Sequence, residues 1–188
     1  MTSNDEFTFG RADLTRPEDF LAFKRLNAAY FDWMSGELSR VTGRGLPEIT
    51  GMSCSDYVEH TLSVTLDLVP RSAQVYFIRS ADRTVVAMGG LRTLPDGATE
   101  IVRIYTLPEF RGLGLGARMV GSLITEAKGW TSDTLRLDTG IFMHSAQKIY
   151  EAAGFRKRGP YAGAEPPEFL KPYWIYMEMP ASSFKANP

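Results

Sequence analysis

EIVRIYTLPEFRGLGLGARMV, Glu100 to Val120, passes through three kinds of local sequence without a break. The first part is rich in β-branched and aromatic residues and reads as a strand over 99–106. Pro108 ends it. After Arg111, Gly112, Gly114 and Gly116 fall at every second position, and Met119, Val120, Leu123, Ile124 and Ala127 then recur at helical spacing. Strand, glycine loop and helix therefore follow one another. Glycines let a ligand approach the backbone closely. The helix start presents unpaired N–H groups and the positive end of a dipole, which together favour a phosphate. Arg111 adds a charge that can bond the same anion. The residues Arg111, Gly112, Leu113, Gly114, Leu115, Gly116 and Ala117 are thus a candidate pyrophosphate cradle.

GLGLGA also fits the spacing G-x-G-x-x-G/A of a dinucleotide site, with Asp138 placed as a ribose acid. Two features oppose that reading. Residues 107–111 separate the strand from the first glycine, and the chain after Asp138 is too short for the rest of a dinucleotide sheet.

Upstream, Phe20, Phe23, Leu26, Tyr30, Phe31, Met34 and Leu38 predict an amphipathic helix over 17–38. Gly43, Gly45 and Pro47 break it. A second helix carries Tyr57, Val58, Thr61, Leu62 and Val69 on one side, with Ser53 or Ser55 as its cap. Apolar runs at 75–78 and 85–91 read as strands separated by turn residues, so 75–106 is an antiparallel meander. Downstream, the pattern predicts a strand over 134–139, a helix over 144–153 stopped by Gly154, a strand opening at Phe155 and a last strand over 174–179. This order predicts an α/β fold with a mixed, mostly antiparallel central sheet flanked by helices, in one domain over 1–188.

Composition bounds the partners. The net charge is −1, from 21 basic and 22 acidic residues, which lacks the basic excess of a nucleic-acid or membrane-surface binder. Cys54 is the only cysteine, so neither an intrachain disulfide nor a cysteine-rich metal site can form, and no metal is expected. The polar, acidic start and the lack of an apolar run long enough to span a bilayer predict a cytoplasmic protein.

Two stretches carry a family resemblance. EIVRIYTLPEFRGLGLGARMV resembles the core motif of the GNAT superfamily of acetyl-CoA-dependent N-acetyltransferases, and LRLDT followed by AQKIYEAAGFRKRGPY resembles that family's second motif. The match spans 85–161. The resemblance implies a V-shaped opening between two parallel strands. In it the pantetheine of acetyl-CoA pairs with the backbone at Ile104, Tyr105 and Thr106, and the pyrophosphate rests on the loop from Arg111 to Ala117. It further implies that Tyr150 protonates the departing thiolate and that Glu100, six residues before Thr106, acts as general base. The family's pantetheine-contacting Asn is absent; Ser145 or Gln147 stands in that region.

Each role has a plainer alternative. Ala146, Ile149, Tyr150 and Ala153 form a helical stripe, so Tyr150 can be core packing. Glu100 can be a strand-start carboxylate. Arg103 and Arg136 can pair with Glu100 or Asp138, His144 or His60 can serve as a base or a surface group, and Cys54 reads as packing. Tyr30, Trp33 and Asp32 on the first helix, with Tyr161, Tyr173 and Trp174 from the tail, are candidates to meet an acceptor. The reading is an N-acetyltransferase moving acetyl from acetyl-CoA to a primary amine of a small molecule or peptide, with a homodimer allowed. A non-catalytic acyl-CoA-binding or sensor module of the same fold is the alternative.

Overall fold

The computed structural model describes residues 6–68, 72–164, 166 and 168–184; Val69 of the helical stripe lies outside them. The chain runs β1 (Phe7–Arg11), α1 (Pro17–Thr42), α2 (Leu46–Thr50), α3 (Cys54–Leu68), β2 (Ala73–Ser80), β3 (Val85–Thr93), β4 (Thr99–Thr106), α4 (Leu115–Ala127), β5 (Thr134–Gly140), α5 (His144–Ala152), β6 (Arg156–Arg158), β7 (Trp174–Pro180) and α6 (Ala181–Phe184). Short 3-10 turns occupy Pro108–Phe110 and Glu168–Tyr173. The strands form one sheet in the order β1-β2-β3-β4-β5-β7-β6. Among the described residues only β4 and β5 pair in parallel.

Helices cover both faces. Val75 and Phe77 pack with α1 and α3 residues such as Leu26, Phe31 and Leu62, while the intervening Tyr76 and Ile78 pack with Met119 and Leu123 of α4 and Tyr150 of α5. A strand buried on both sides cannot alternate, which is why β2 and β3 read as continuous apolar runs. Each fully buried Leu or Phe contributes roughly 1.5–3 kcal/mol relative to exposure.

Two helix ends follow from sequence chemistry. Gly43, at φ 73°, closes α1 with its N–H on the Ser39 carbonyl. Of the two serines expected to cap α3, Ser53 does so, its Oγ accepting the Asp56 N–H at 3.1 Å. The structure adds three elements to the predicted order, β1, α2 and the short α6 after β7. β1 pairs with the outer edge of β2 and stacks Phe9 on Tyr76 at 5.3 Å, and α2 forms a short turn between the two long helices.

The decisive irregularity lies in β4. Its register with β3 shifts between Met88 and Gly90, which pair with Tyr105 and Val102, so Arg103 and Ile104 stand opposite Gly89. Such a bulge bends and twists its strand. Arg103 takes φ 54°, a left-handed conformation that costs a side-chain-bearing residue roughly 1–2 kcal/mol. Its guanidinium is held from the helices, by Thr65 Oγ1 at 2.9 Å and Asn27 Oδ1 at 3.3 Å. Opposite the bulge, a Cβ on Gly89 would lie 2.9 Å from Leu123 Cδ1, so the glycine lets α4 press onto the sheet there. Beyond the bulge β4 leaves β5: the parallel ladder runs only from Thr99–Leu135 to Ile101–Leu137.

Candidate active site

The divergence of β4 and β5 opens a cavity of about 710 Å³. Ile104, Tyr105 and Thr106 form one wall, and Asp138 and Thr139 face them. Because the ladder stops at Ile101, the inner edge of β4 can meet an amide-bearing chain in the manner of an added strand.

The glycine loop sits at the mouth. Arg111, Gly112, Gly114, Leu115, Gly116 and Ala117 all line the cavity, whereas Leu113 turns outward and is 44% exposed. Gly112 and Gly114 have φ 81° and 77°, and a Cβ on either would meet nothing within 4 Å. These glycines therefore serve backbone conformation, not neighbour packing. They lead into α4, whose first turn offers the N–H groups of Leu115, Gly116 and Ala117. Gly116 has a second purpose: its missing Cβ would stand 3.3 Å from Ile149 Cδ1, where α4 meets α5. Open amides beside an unladdered strand edge fit a pyrophosphate joined to an amide-bearing arm, which is the chemistry of CoA.

Tyr150 is buried at 7% exposure and lines the cavity from α5, with its ring edge-on to Phe155 at 6.2 Å. Burial, and secondarily the charge of Asp138, push its phenol above the ordinary tyrosine range. The group is therefore a proton donor at any working pH. Ser145 and His144 also line the cavity at the start of α5. Gln147 is committed elsewhere, donating to the Gly140 and Ile141 carbonyls at 2.9 and 3.1 Å. His60 is exposed on α3 and Cys54 packs beside the α1 cluster, both outside the cavity lining.

Glu100 stands apart from the opening. It is fully buried and lies outside the cavity lining, where β4 and β5 are still laddered. Arg92 Nε and the Tyr161 hydroxyl each hold one of its oxygens at 2.5 Å. A carboxylate engaged on both oxygens and apart from the opening does not reach an amine there directly. Tyr161, expected at the acceptor, is drawn away with it. Arg136 pairs with Asp96 and Glu178, at 2.6 and 3.0 Å, instead of with Glu100 or Asp138, and its guanidinium covers the Tyr161 ring at 5.3 Å.

The other acceptor candidates divide. Tyr30 and Trp33 line the cavity; Tyr173 and Trp174 pack behind it. The sequence reading missed Phe142 and Met143 in the lining and considered Asp138 only as a ribose acid or an arginine partner. One signal for Asp138 was available: a carboxylate on a central strand between the buried Leu137 and Thr139 is costly unless something uses it.

No helix among the described residues is long and apolar enough to cross a membrane, and no cluster of three or more His, Cys, Asp or Glu side chains among them could hold a metal. The family model of the acetyltransferase (GNAT) family matches residues 46–155, more than half of the chain. An "IAA acetyltransferase" of Azospirillum brasilense is 27% identical over 106 residues, covering 56% of this chain and 67% of that protein. Matched segments of two further relatives, from Dictyostelium discoideum and Schizosaccharomyces pombe, span only 29% and 40% of those proteins. Among solved structures, a GNAT-family acetyltransferase of Staphylococcus aureus superposes with TM-score 0.61 at 16% identity, covering 92% of this chain and 98% of that one. Spermidine N-acetyltransferase of Vibrio cholerae, solved with CoA and spermine, gives TM-score 0.63 at 13% identity, covering 96% and 99%. At these identities the structural likeness is one of fold. The matched family model, carried on a splayed sheet and glycine loop, shows that the chain belongs to the acetyltransferase (GNAT) family.

Proposed function

We propose that the protein transfers an acetyl group from acetyl-CoA directly to a primary amine of a small molecule or peptide. The supporting observation is the convergence, on one cavity, of the open edge of β4, the amides at the start of α4 and the protonated phenol of Tyr150. Residues 1–188 act in this reading as one cytoplasmic catalytic domain. Acetyl-CoA supplies an activated thioester; everything else is done by the chain. Arg111 and the amides up to Ala117 hold the pyrophosphate, Ile104 to Thr106 and Ser145 align the arm, and a backbone N–H near Thr106 faces the developing oxyanion. Holding amine and thioester together supplies much of the rate. As the C–N bond forms and the C–S bond breaks, the amine proton passes to Asp138 or to water beside it, and the thiolate takes the Tyr150 proton. Asp138 replaces Glu100 in this role because it faces the cavity and Glu100 does not.

Free-thiol release from acetyl-CoA across an amine panel tests the reading. Release that depends on an added amine is the expected result. Stabilisation of the fold by acetyl-CoA with no amine-dependent release would make the chain an acyl-CoA-binding module instead.

A further inference from the structure

The half of the cavity that faces α1 is built from rings. Trp33 lies 6.3 Å from Tyr30 and 6.4 Å from Phe142, and Phe142 lies 5.8 Å from Trp174, whose indole N–H donates to Asp138 Oδ1 at 2.8 Å. A carboxylate therefore stands at one end of an aromatic wall. At the other end the guanidinium of Arg111 covers the rings of Trp33 and Tyr105, 5.5 Å from each. Among the described lining residues Asp138 is the sole Asp or Glu.

This arrangement separates classes of amine. A polyamine carries several ammonium groups, and each needs an acid or water when it enters a closing site. Here one carboxylate faces the space, and a second ammonium finds no further acid among the described lining residues. The ring faces nearest Arg111 already carry a cation, so they are poorly suited to take up another. A short alkylamine would satisfy Asp138 but leave the ring wall hydrated. An amine attached to a flat apolar body uses both features: the ammonium goes to the carboxylate, and a ring packs edge-on or offset against the wall.

We infer that the acceptor is a monoamine bearing an aromatic ring, an arylalkylamine in chemical class, with its ring against Trp33 and Phe142 and its amine directed to Asp138. This rests on the acetyltransferase reading. It sets the chain apart from the spermidine acetyltransferase that shares its fold, whose acceptor does not transfer at 13% identity.

Calorimetric titration of the protein saturated with CoA tests it without turnover, using phenethylamine, butylamine and spermidine as probes. Phenethylamine binding at least about tenfold tighter than either of the others is expected, the scale of one well-buried ring. Phe142→Leu should weaken phenethylamine severalfold and leave CoA affinity in place; Trp33→Ala should weaken phenethylamine at least as much, read at a CoA concentration that saturates this variant because Trp33 also carries the Arg111 guanidinium. Spermidine binding as tightly as phenethylamine, or ring variants that bind phenethylamine like the parent, overturns the inference. Thiol release with the same probes separates the two readings. Phenethylamine binding without release from any amine would remove the enzyme and keep the ring-amine site, whereas release favouring spermidine would keep the enzyme and remove the arylalkylamine.

Discussion

The hydroxyl of Tyr161 donates to Glu100 Oε1 at 2.5 Å while Arg92 Nε holds Oε2, so both oxygens of a buried carboxylate on the central strand are engaged by residues that do not line the cavity. Removing one member of a buried charge pair costs about 3–5 kcal/mol, chiefly because the partner is left uncompensated. Glu100→Gln is therefore expected to lower the thermal midpoint by several degrees. Per folded molecule, kcat/KM and its pH profile should stay those of the parent. A stable Glu100→Gln protein whose kcat/KM deficit narrows as pH rises would restore Glu100 as the base.

Why Glu100 lies apart from the opening follows from strand parity. Six residues separate it from Thr106, an even number, so a regular strand would put both on one face. The bulge at Arg103 breaks the count: Ile101 and Ile104, an odd number apart, pack on the same α4 side of the sheet. No glycine marks the bulge. Its left-handed residue is an arginine held by Asn27 and Thr65, far away in sequence, so the distortion is a tertiary fact invisible to local patterns. β1 was missed for a similar reason, since five residues find their partner only in β2. What was legible carried its own punctuation: the strand, glycine loop and helix of 99–127, the stripe of α1, and Gly43 closing it.

The loop should respond through conformation. Gly114 has space for a side chain but φ 77°, which a β-branched residue tolerates poorly. Gly114→Val should weaken CoA by roughly tenfold or more, with a modest loss of stability, because both the backbone path and the anion's approach are altered. Calorimetric titration with CoA measures this. Parent-like affinity would reduce the loop to a connector. Acetyl-CoA should also raise the parent's melting temperature where NADH does not.

Tyr150 predicts a pH signature. Its phenol is pushed above the ordinary value of 10.0 by burial first and by Asp138 second. A group that holds its proton more tightly when folded gives stability that is complete below the unfolded value and is lost as pH rises above it. Tyr76 and Tyr161 are raised in the same sense, by burial and by Glu126 and Glu100 respectively. Stability should therefore fall as pH climbs past about 10, and tyrosinate absorbance from these three rings should appear only with unfolding. Turnover should show no loss of the acid from Tyr150 up to that point. Tyr150→Phe should cut kcat by about 10²-fold, the lower range for acid–base catalysis, with CoA affinity retained. Full activity in this variant would make Tyr150 packing alone.

Gly140 ends β5 directly beneath the Phe142 ring; a Cβ there would lie 2.6 Å from Cζ and 2.8 Å from Cε1. Neither distance is sustainable, so an added methyl must lift the ring. The ring in turn stands 6.4 Å from Trp33 and 5.8 Å from Trp174, so lifting it disturbs the wall that leads to Asp138. Overpacking of this kind costs typically about 1–3 kcal/mol. Gly140→Ala should therefore lower stability and raise the KM for the acceptor amine severalfold. The affinity for CoA should change little, because the loop and the edge of β4 lie across the opening from Gly140. The split between the two ligands is the informative result. Equal losses for amine and CoA would mean that the methyl distorts the whole opening, and an unchanged amine KM would mean that Phe142 is not part of the acceptor wall.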